Sequence, residues 1–238
     1  MTKLLRYAIV LPAYNHEKQL RSVIEKTVKI GLPLIVVDDG STDSTSKVLA
    51  SFPDVTVIRH KKNEGKGASL LTGFVAALQI ADWAITIDAD GQHNPEDILS
   101  LIQAIPESQR PLVIGKRSGM GPGFAPWTSR WGRQFSNFWV WASSGRWISD
   151  SQSGLRIYPL PEALHLGTKT RRYQFEVEIL VLAIWQGIPI IEIPVHVFYG
   201  SGEDRISHFK PWLDFWRNTK TFARLTATRF LIPTGYRK

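Results

Sequence analysis

Asp88 and Asp90 stand one residue apart, directly after the apolar, β-branched run at residues 84–87. That run reads as a buried strand. If the strand geometry carried on through the pair, both carboxylates would share one face, roughly 7 Å apart at Cα. Two carboxylates at the lip of a central strand repel one another and call for a cation. Hard oxygen ligands suit Mg²⁺ or Mn²⁺, which commonly bridge to a substrate's phosphates. Gln92 adds a neutral oxygen two residues on. Gly91 allows a sharp exit, and Asn94-Pro95 suits a helix cap and first turn. The plain alternative is a solvated, helix-capping turn.

The elements that would position this pair can be read in order. Strand patterns fall at residues 7–11, 34–37, 55–58, 84–87 and 112–115, with helix patterns at 16–30, 41–51, 68–79 and 95–104 between them. Such alternation implies right-handed βαβ units and a mainly parallel sheet flanked by helices. Ligands bind beyond the carboxyl ends of strands in sheets of this kind. Polar clusters sit at three such ends: Pro12-Ala13-Tyr14-Asn15, Asp38-Asp39-Gly40-Ser41, and Asp88-Ala89-Asp90-Gly91-Gln92. Their coincidence marks a site more firmly than any one motif does.

Beyond residue 115 the character changes. Lys116-Arg117 opens a basic loop, Asp150 begins the polar loop 150–156, and residues 175–185 read as a buried helix carrying Glu176 and Glu178. Those two glutamates are expected to face solvent or to pair with Arg171 and Arg172. Lys66, between two glycines, reads either as a ligand contact or as a solvated loop charge. The strand pattern at 188–198 contains Pro189 and Pro194, so it belongs at a sheet edge. Aromatic helices follow at 127–142 and 211–230.

The 238 residues carry a net charge of +8, unevenly placed. Residues 1–120 hold 14 basic and 13 acidic groups, residues 121–238 hold 15 and 8, and eight of nine tryptophans lie in the second part. Basic charge mixed with tryptophan suits an anionic membrane surface. No nucleic-acid-binding motif accompanies it. Cysteine is absent, which is compatible with a reducing cytoplasm. The N-terminus runs straight into a strand pattern, with no sign of a signal peptide, and no apolar run is long enough to span a bilayer. The expectation is a cytoplasmic protein held peripherally on the inner face of the cytoplasmic membrane.

Six stretches, in order, resemble family 2 glycosyltransferases of the GT-A fold, and most of all dolichol- and polyprenyl-phosphate sugar synthases. They are residues 11–15, 36–43, 63–67 (Asn-Glu-Gly-Lys-Gly), 88–92, 115–117 (Gly-Lys-Arg) and 150–156. The resemblance implies an α/β GT-A domain over residues 1–205, with a candidate interfacial helix at 127–147 and a C-terminal amphipathic helix and tail at 206–238. It implies that Pro12 and Tyr14 line the nucleotide pocket, along with Glu17, Lys66 and Ala89. Asp38 or Asp39, with Asp39 favoured, would hold the base or ribose. Asp88, Asp90 and Gln92 would gather round metal and diphosphate, and Arg117 and Arg205 would reach phosphate from two loops. The chain departs from the family at His16, where Glu is usual and Glu17 comes one later. It departs again at Arg205-Ile206-Ser207-His208-Phe209-Lys210, where His208 or Lys210 replaces the usual lysine.

Three functions compete at this point. One is metal-dependent, inverting transfer of a sugar from a nucleotide-diphosphate donor to a lipid phosphate. A second is transfer to a hydroxyl acceptor with Asp150 as base, since a hydroxyl needs a carboxylate to take its proton. The third is an inactive, membrane-bound partner protein that keeps the fold, and a membrane-protein partner is also an alternative to lipid for the aromatic helices.

Overall fold

The computed structural model describes residues 6–118, 127–198 and 211–232; for 127–130 and 211–218 only the backbone is described. Seven strands form one sheet: β1 (Tyr7–Ala13), β2 (Leu34–Asp38), β3 (Thr56–Arg59), β4 (Trp83–Thr86), β5 (Leu112–Ser118), β6 (Arg156–Pro159) and β7 (Ile190–His196). Their spatial order is β3-β2-β1-β4-β6-β5-β7. All pairs are parallel except the two made by β6, which runs against both β4 and β5. The chain winds outward from β1 to β3, then crosses back to place β4 on the other side of β1. That reversal is a topological switch point, and it opens a crevice at the carboxyl ends of β1 and β4. β7 takes the edge, as its prolines require.

Alternation along the strands sorts the core into two layers. Val10, Ile35, Val37, Ala84 and Ile114 face one side; Ile9, Leu11, Val36, Ile85 and Val113 face the other. The second side is covered by α1 (Leu20–Val28), α2 (Thr45–Leu49) and α4 (Asp97–Gln103). The first is covered by α3 (Lys66–Leu78), α5 (Trp127–Ser144), α6 (Glu162–His165), α7 (Phe175–Trp185) and α8 (Pro211–Leu231). α3 lies close to β1 because Gly73 has no side chain there: a Cβ would sit 2.2 Å from Val10 Cγ1.

Some boundaries move for local reasons. α1 starts at Leu20 rather than at 16, because 15–17 are tied to the loop after β2. The Asn15 N–H donates to Ser41 Oγ, the His16 N–H to Thr45 Oγ1 and the Glu17 N–H to Asp43 Oδ2. β4 ends at Thr86, so Asp88 and Asp90 lie in the turn beyond the strand and do not share a strand face. β5 extends through Ser118, which makes Arg117 a strand residue and not part of a flexible loop.

The aromatic stripes divide between core and surface. Phe135 and Trp139 pack inward, Trp139 stacks on Phe222 at 5.7 Å, and Phe222 and Leu225 are buried in the same core as α7. Trp131, Phe138 and Trp141 on α5, and Phe230 and Leu231 on α8, stay exposed. The two helices are bolted together by polar contacts too. Ser143 Oγ meets Thr226 Oγ1 at 2.9 Å, and Arg229 caps α5 by donating to the Trp141 and Ala142 carbonyls. Trp212, Phe215 and Trp216, at the start of the α8 pattern, have side chains outside the described residues.

Phe222→Ala should therefore cost about 3–5 kcal/mol, as a buried aromatic truncation does. Phe230→Ala should change stability by less than about 0.5 kcal/mol. Urea denaturation midpoints check both; equal, small effects would mean that α8 does not belong to the core.

Candidate active site

The crevice at the switch point gathers the polar clusters expected there. Pro12 lies past the end of the β1–β4 ladder, while pairing with β2 runs on to Ala13↔Asp38. The ladder between β1 and β4 stops at Val10↔Thr86, so the missing N–H faces no partner strand. Asn15 turns the chain with φ 53°, a conformation Asn tolerates, and its Oδ1 accepts the Thr42 N–H. Tyr14 is partly buried beside His16, whose Nδ1 lies 2.8 Å from the Tyr14 carbonyl.

Asp38 and Asp39 are both buried and both hold backbone. Asp38 Oδ1 accepts the Ser41 N–H, and Oδ2 accepts from Ser46 Oγ and sits 3.4 Å from Arg59 Nε. Asp39 accepts the Glu64 and Gly65 N–H groups and a 2.7 Å bond from His60. Glu17 accepts the Ser44 N–H at the start of α2. Gly40, with φ +71°, lies against the Lys62 and Asn63 backbone, so the two loops touch.

Lys66 is not a solvated loop charge. Its Nζ lies 2.6 Å from Asp88 Oδ1 and 2.6 Å from Glu176 Oε1, mostly out of solvent. Burial alone would favour the neutral amine, but the Asp88 and Glu176 carboxylates hold Lys66 firmly charged, above the usual lysine range. Burial pushes Asp88 up as well, and Lys66 more than reverses this, leaving it below the usual carboxylate range. Gly65 and Gly67 let the α3 N-terminus reach this position: a Cβ on Gly67 would meet Phe175 Cβ at 2.5 Å. Gly154 is pressed on Asp88 in the same way, with an added Cβ 2.1 Å from Oδ2.

The expectation for the two glutamates fails. Glu176 and Glu178 are both buried, because α7 is covered on every side. Glu176 binds Lys66. Glu178 accepts the Lys169 and Thr170 N–H groups and pairs with Arg224 of α8. Arg171 and Arg172 lie outside: Arg171 is 3.8 Å from Glu64, and Arg172 donates to Asn63 Oδ1. A glutamate inside an apolar helix needs a buried cation partner, so the sequence could have shown that Glu176 is paired, though not that Lys66 is the partner.

Arg117 and Asp150, placed by sequence in rival roles, form one ion pair. Nε and Nη2 of Arg117 donate to Asp150 at 2.7 and 2.8 Å, and the Arg117 N–H adds a third bond. Asp150 is wholly buried, which would raise its pKa, but Arg117 holds it below the usual carboxylate range. A carboxylate so occupied is a poor proton acceptor, so the geometry goes against Asp150 as a base. Behind it, fully buried Arg156 donates to the Ser151 and Ser153 carbonyls and to the Glu176 carbonyl, which fixes the loop 150–154. Arg205, His208 and Lys210 lie outside the described residues.

Asp90 differs from these carboxylates. It accepts only the Gln92 N–H among the described residues, and burial together with the Asp88 charge pushes it up to about 6. Ala89 between the two aspartates is buried. His93, which sequence reasoning passed over, is buried beside them. Burial pushes its pKa down to about 4, so it is neutral at pH 7, and Nδ1 has no hydrogen-bond partner among the described residues. The described residues contain no cage of three or more His, Cys, Asp or Glu side chains. Mg²⁺ and Mn²⁺ need none: one or two carboxylates suffice where diphosphate and water complete the shell. A partly buried carboxylate raised by burial and by its neighbour's charge is the group such a cation would relieve.

Parallel strands on both sides of a switch point, with polar clusters at their carboxyl ends, give the chain an α/β fold of the GT-A kind. Residues 8–162 match the model of glycosyl transferase family 2, and the chain belongs to that family. It is 32% identical over 213 residues to a UDP-N-acetylglucosamine–dolichyl-phosphate N-acetylglucosaminyltransferase of Methanococcus voltae, covering 80% of this chain and 85% of that one. It is 27% identical to a polyprenol monophosphomannose synthase of Mycolicibacterium smegmatis, over 80% of this chain and 76% of the relative. In fold it is similar to glucosyl-3-phosphoglycerate synthase of Mycobacterium tuberculosis in complex with Mn²⁺ and UDP-glucose, with TM-score 0.70 and 20% identity, over 96% of this chain and 80% of that one.

The Asp90 environment fixes the sign of a pH effect. Its folded pKa of about 6 exceeds the ordinary 3.8, so its contribution to stability is full below 3.8 and is lost as pH rises through 6. A cation that needs the ionised carboxylate works against protons. Mn²⁺ with UDP should raise the melting temperature more at pH 7 than at pH 5, with affinity falling about tenfold per unit below pH 6. Asp90→Asn should abolish the shift. A shift equal at both pH values, or intact in Asp90→Asn, would remove Asp90 from the cation site.

Proposed function

We propose that the chain transfers a sugar from a nucleotide-diphosphate donor to a polyprenyl-phosphate-type lipid acceptor, with inversion at the anomeric carbon. The observation that carries this reading is the Arg117–Asp150 pair, which takes the candidate base away from a hydroxyl acceptor. A phosphate monoester needs no base, being ionised at pH 7 with a second pKa near 6. What it needs is cationic surroundings: Arg117, near enough to act on Asp90, is the proposed first contact and Arg205 the second. The names of the relatives, with dolichyl-phosphate and polyprenol acceptors, support the same reading.

In this reading Asp39 meets the base or ribose, with Pro12 and Tyr14 lining the same pocket. Asp88, Asp90 and Gln92 hold Mg²⁺ or Mn²⁺ with the donor diphosphate; a bound cation supplies charge that stabilises the leaving nucleoside diphosphate. Lys66 keeps Asp88 ionised and in place. An acceptor phosphate oxygen attacks the anomeric carbon from the face opposite the diphosphate. The new bond to the phosphate oxygen forms as the bond to the β-phosphate oxygen breaks, and single displacement inverts the centre.

The exposed rings of α5 and α8 are the proposed contact with an anionic membrane surface, on its cytoplasmic face. Trp131 is 64% and Phe230 74% exposed, and Trp141 and Trp147 are also open. Arg146, next to Trp147 in sequence, and Lys220 on α8 are exposed, and each such charge is worth about 1 kcal/mol close to anionic lipid. No helix among the described residues is long and apolar enough to cross a membrane.

With Mn²⁺, polyprenyl phosphate and a panel of nucleotide-sugars, the product should be a lipid-phosphate sugar, stable to alkali and labile to mild acid, with its anomeric centre inverted. Transfer to hydroxyl acceptors alone would replace this reading. For the surface, the protein should co-sediment with anionic vesicles at low salt and be released at high salt, and a Trp131→Ala/Trp141→Ala double variant should lose most binding. If vesicles fail to bind the wild type at low salt, the rings instead face a protein partner.

A further inference from the structure

His60, just beyond β3, has two attachments to the tandem aspartates. Its backbone N–H donates to the Asp38 carbonyl at 2.9 Å, which prolongs the ladder between β2 and β3. Its side-chain Nδ1 lies 2.7 Å from Asp39 Oδ1, and Nε2 lies 3.0 Å from Thr72 Oγ1 on α3. An ionised carboxylate only accepts, so Nδ1 carries the proton of that bond. Thr72 can serve the other nitrogen as donor or acceptor, so the ring plane is held from both ends.

The acceptor inventory of Asp39 gives this a consequence. A carboxylate offers about four lone-pair sites. Oδ1 spends two, on the Glu64 N–H at 2.9 Å and on His60; Oδ2 spends one, on the Gly65 N–H at 2.8 Å. Among the described residues a single site is left, on Oδ2. Without His60, Oδ1 would regain a free site and the carboxylate would offer two competing positions.

We infer that His60 is a positioning residue for the donor, which acts through Asp39 to confine nucleotide recognition to one acceptor on Oδ2. A confined acceptor accepts one N–H or O–H group at one place, and it penalises a nucleotide that presents a lone pair there. This rests on the proposed contact between Asp39 and the donor nucleotide. Thr72 joins in only by fixing the ring.

The test measures calorimetric dissociation constants for UDP, GDP and CDP with Mn²⁺, together with melting temperatures. It uses the full chain, as wild type, His60→Ala, His60→Gln and His60→Asn. The Asn amide nitrogen stands where Nδ1 does; the Gln amide reaches toward Thr72 instead. His60→Ala should weaken the preferred diphosphate about tenfold and narrow its margin over the other two, while His60→Asn stays within about threefold of wild type. KM for the matching nucleotide-sugar should rise with kcat moved less than twofold. If His60→Ala does not fold, His60→Gln carries the same expectation. Unchanged binding in these variants, or an equal loss for all three nucleotides with a fallen melting temperature, overturns the role of His60 alone. A wild type that binds none of the three overturns the donor reading, and this inference with it.

Discussion

The ammonium of Lys66, held between Asp88 and Glu176, is the constraint on which the site depends. Removing any one of three mostly buried charges would strand the others in a medium that solvates them poorly. The group therefore fixes three distant pieces of chain at once: the start of α3, the turn after β4 and the first turn of α7. The glycines follow from it. Gly65 and Gly67 must lack side chains for α3 to begin against Arg171 and Phe175, and Gly154 must lack one for Asp88 to lie where Lys66 reaches it. Lys66 also decides which aspartate is satisfied. Asp88 has its cation within the chain, whereas Asp90 is left with burial and a negative neighbour. The asymmetry sets the two carboxylates apart electrostatically, Asp88 held low and Asp90 raised, although they stand one residue apart.

Two further buried carboxylates repeat the pattern at the margins of the crevice. Asp150 locks Arg117 at the end of β5, and Glu178 ties Arg224 of α8 to the loop before α7. Each joins segments far apart in sequence, so each costs desolvation that only a well-formed partner offsets. The same loop before α7 gives its Arg171 carbonyl to the Ala68 N–H at the start of α3. α8, through Glu178, and the helix that carries Lys66 thus lean on one short stretch of backbone.

α5 and α8 show how one aromatic stripe serves two ends. Rings on the inner side, Phe135, Trp139 and Phe222, complete the core over α7; rings on the outer side are left without a cover among the described residues. A helix that turns 100° per residue cannot hide residues spread around most of its circumference against one neighbour. Helical spacing alone does not tell the two sets apart.

The sequence by itself determined the fold class, the alternation of strands and helices up to β5, the edge position of the proline-bearing strand and the three strand ends where polar residues gather. These follow from local patterns: hydrophobic period, turn residues and the switch-point rule need only neighbours along the chain. Family membership was legible for the same reason, through short motifs at Asp38-Asp39 and Asp88-Ala89-Asp90. The tertiary structure alone decided which charges meet. Lys66 and Glu176 are 110 residues apart, and Arg117 and Asp150 are 33 apart. Spacing along a strand or helix says nothing about such pairs, so the sequence leaves Glu176 to face solvent or pair with Arg171 or Arg172, and sets Asp150 and Arg117 in rival roles. A buried charge is defined by its partner, and the partner is chosen by the packing of α3, α7 and β5 rather than by any local sequence pattern.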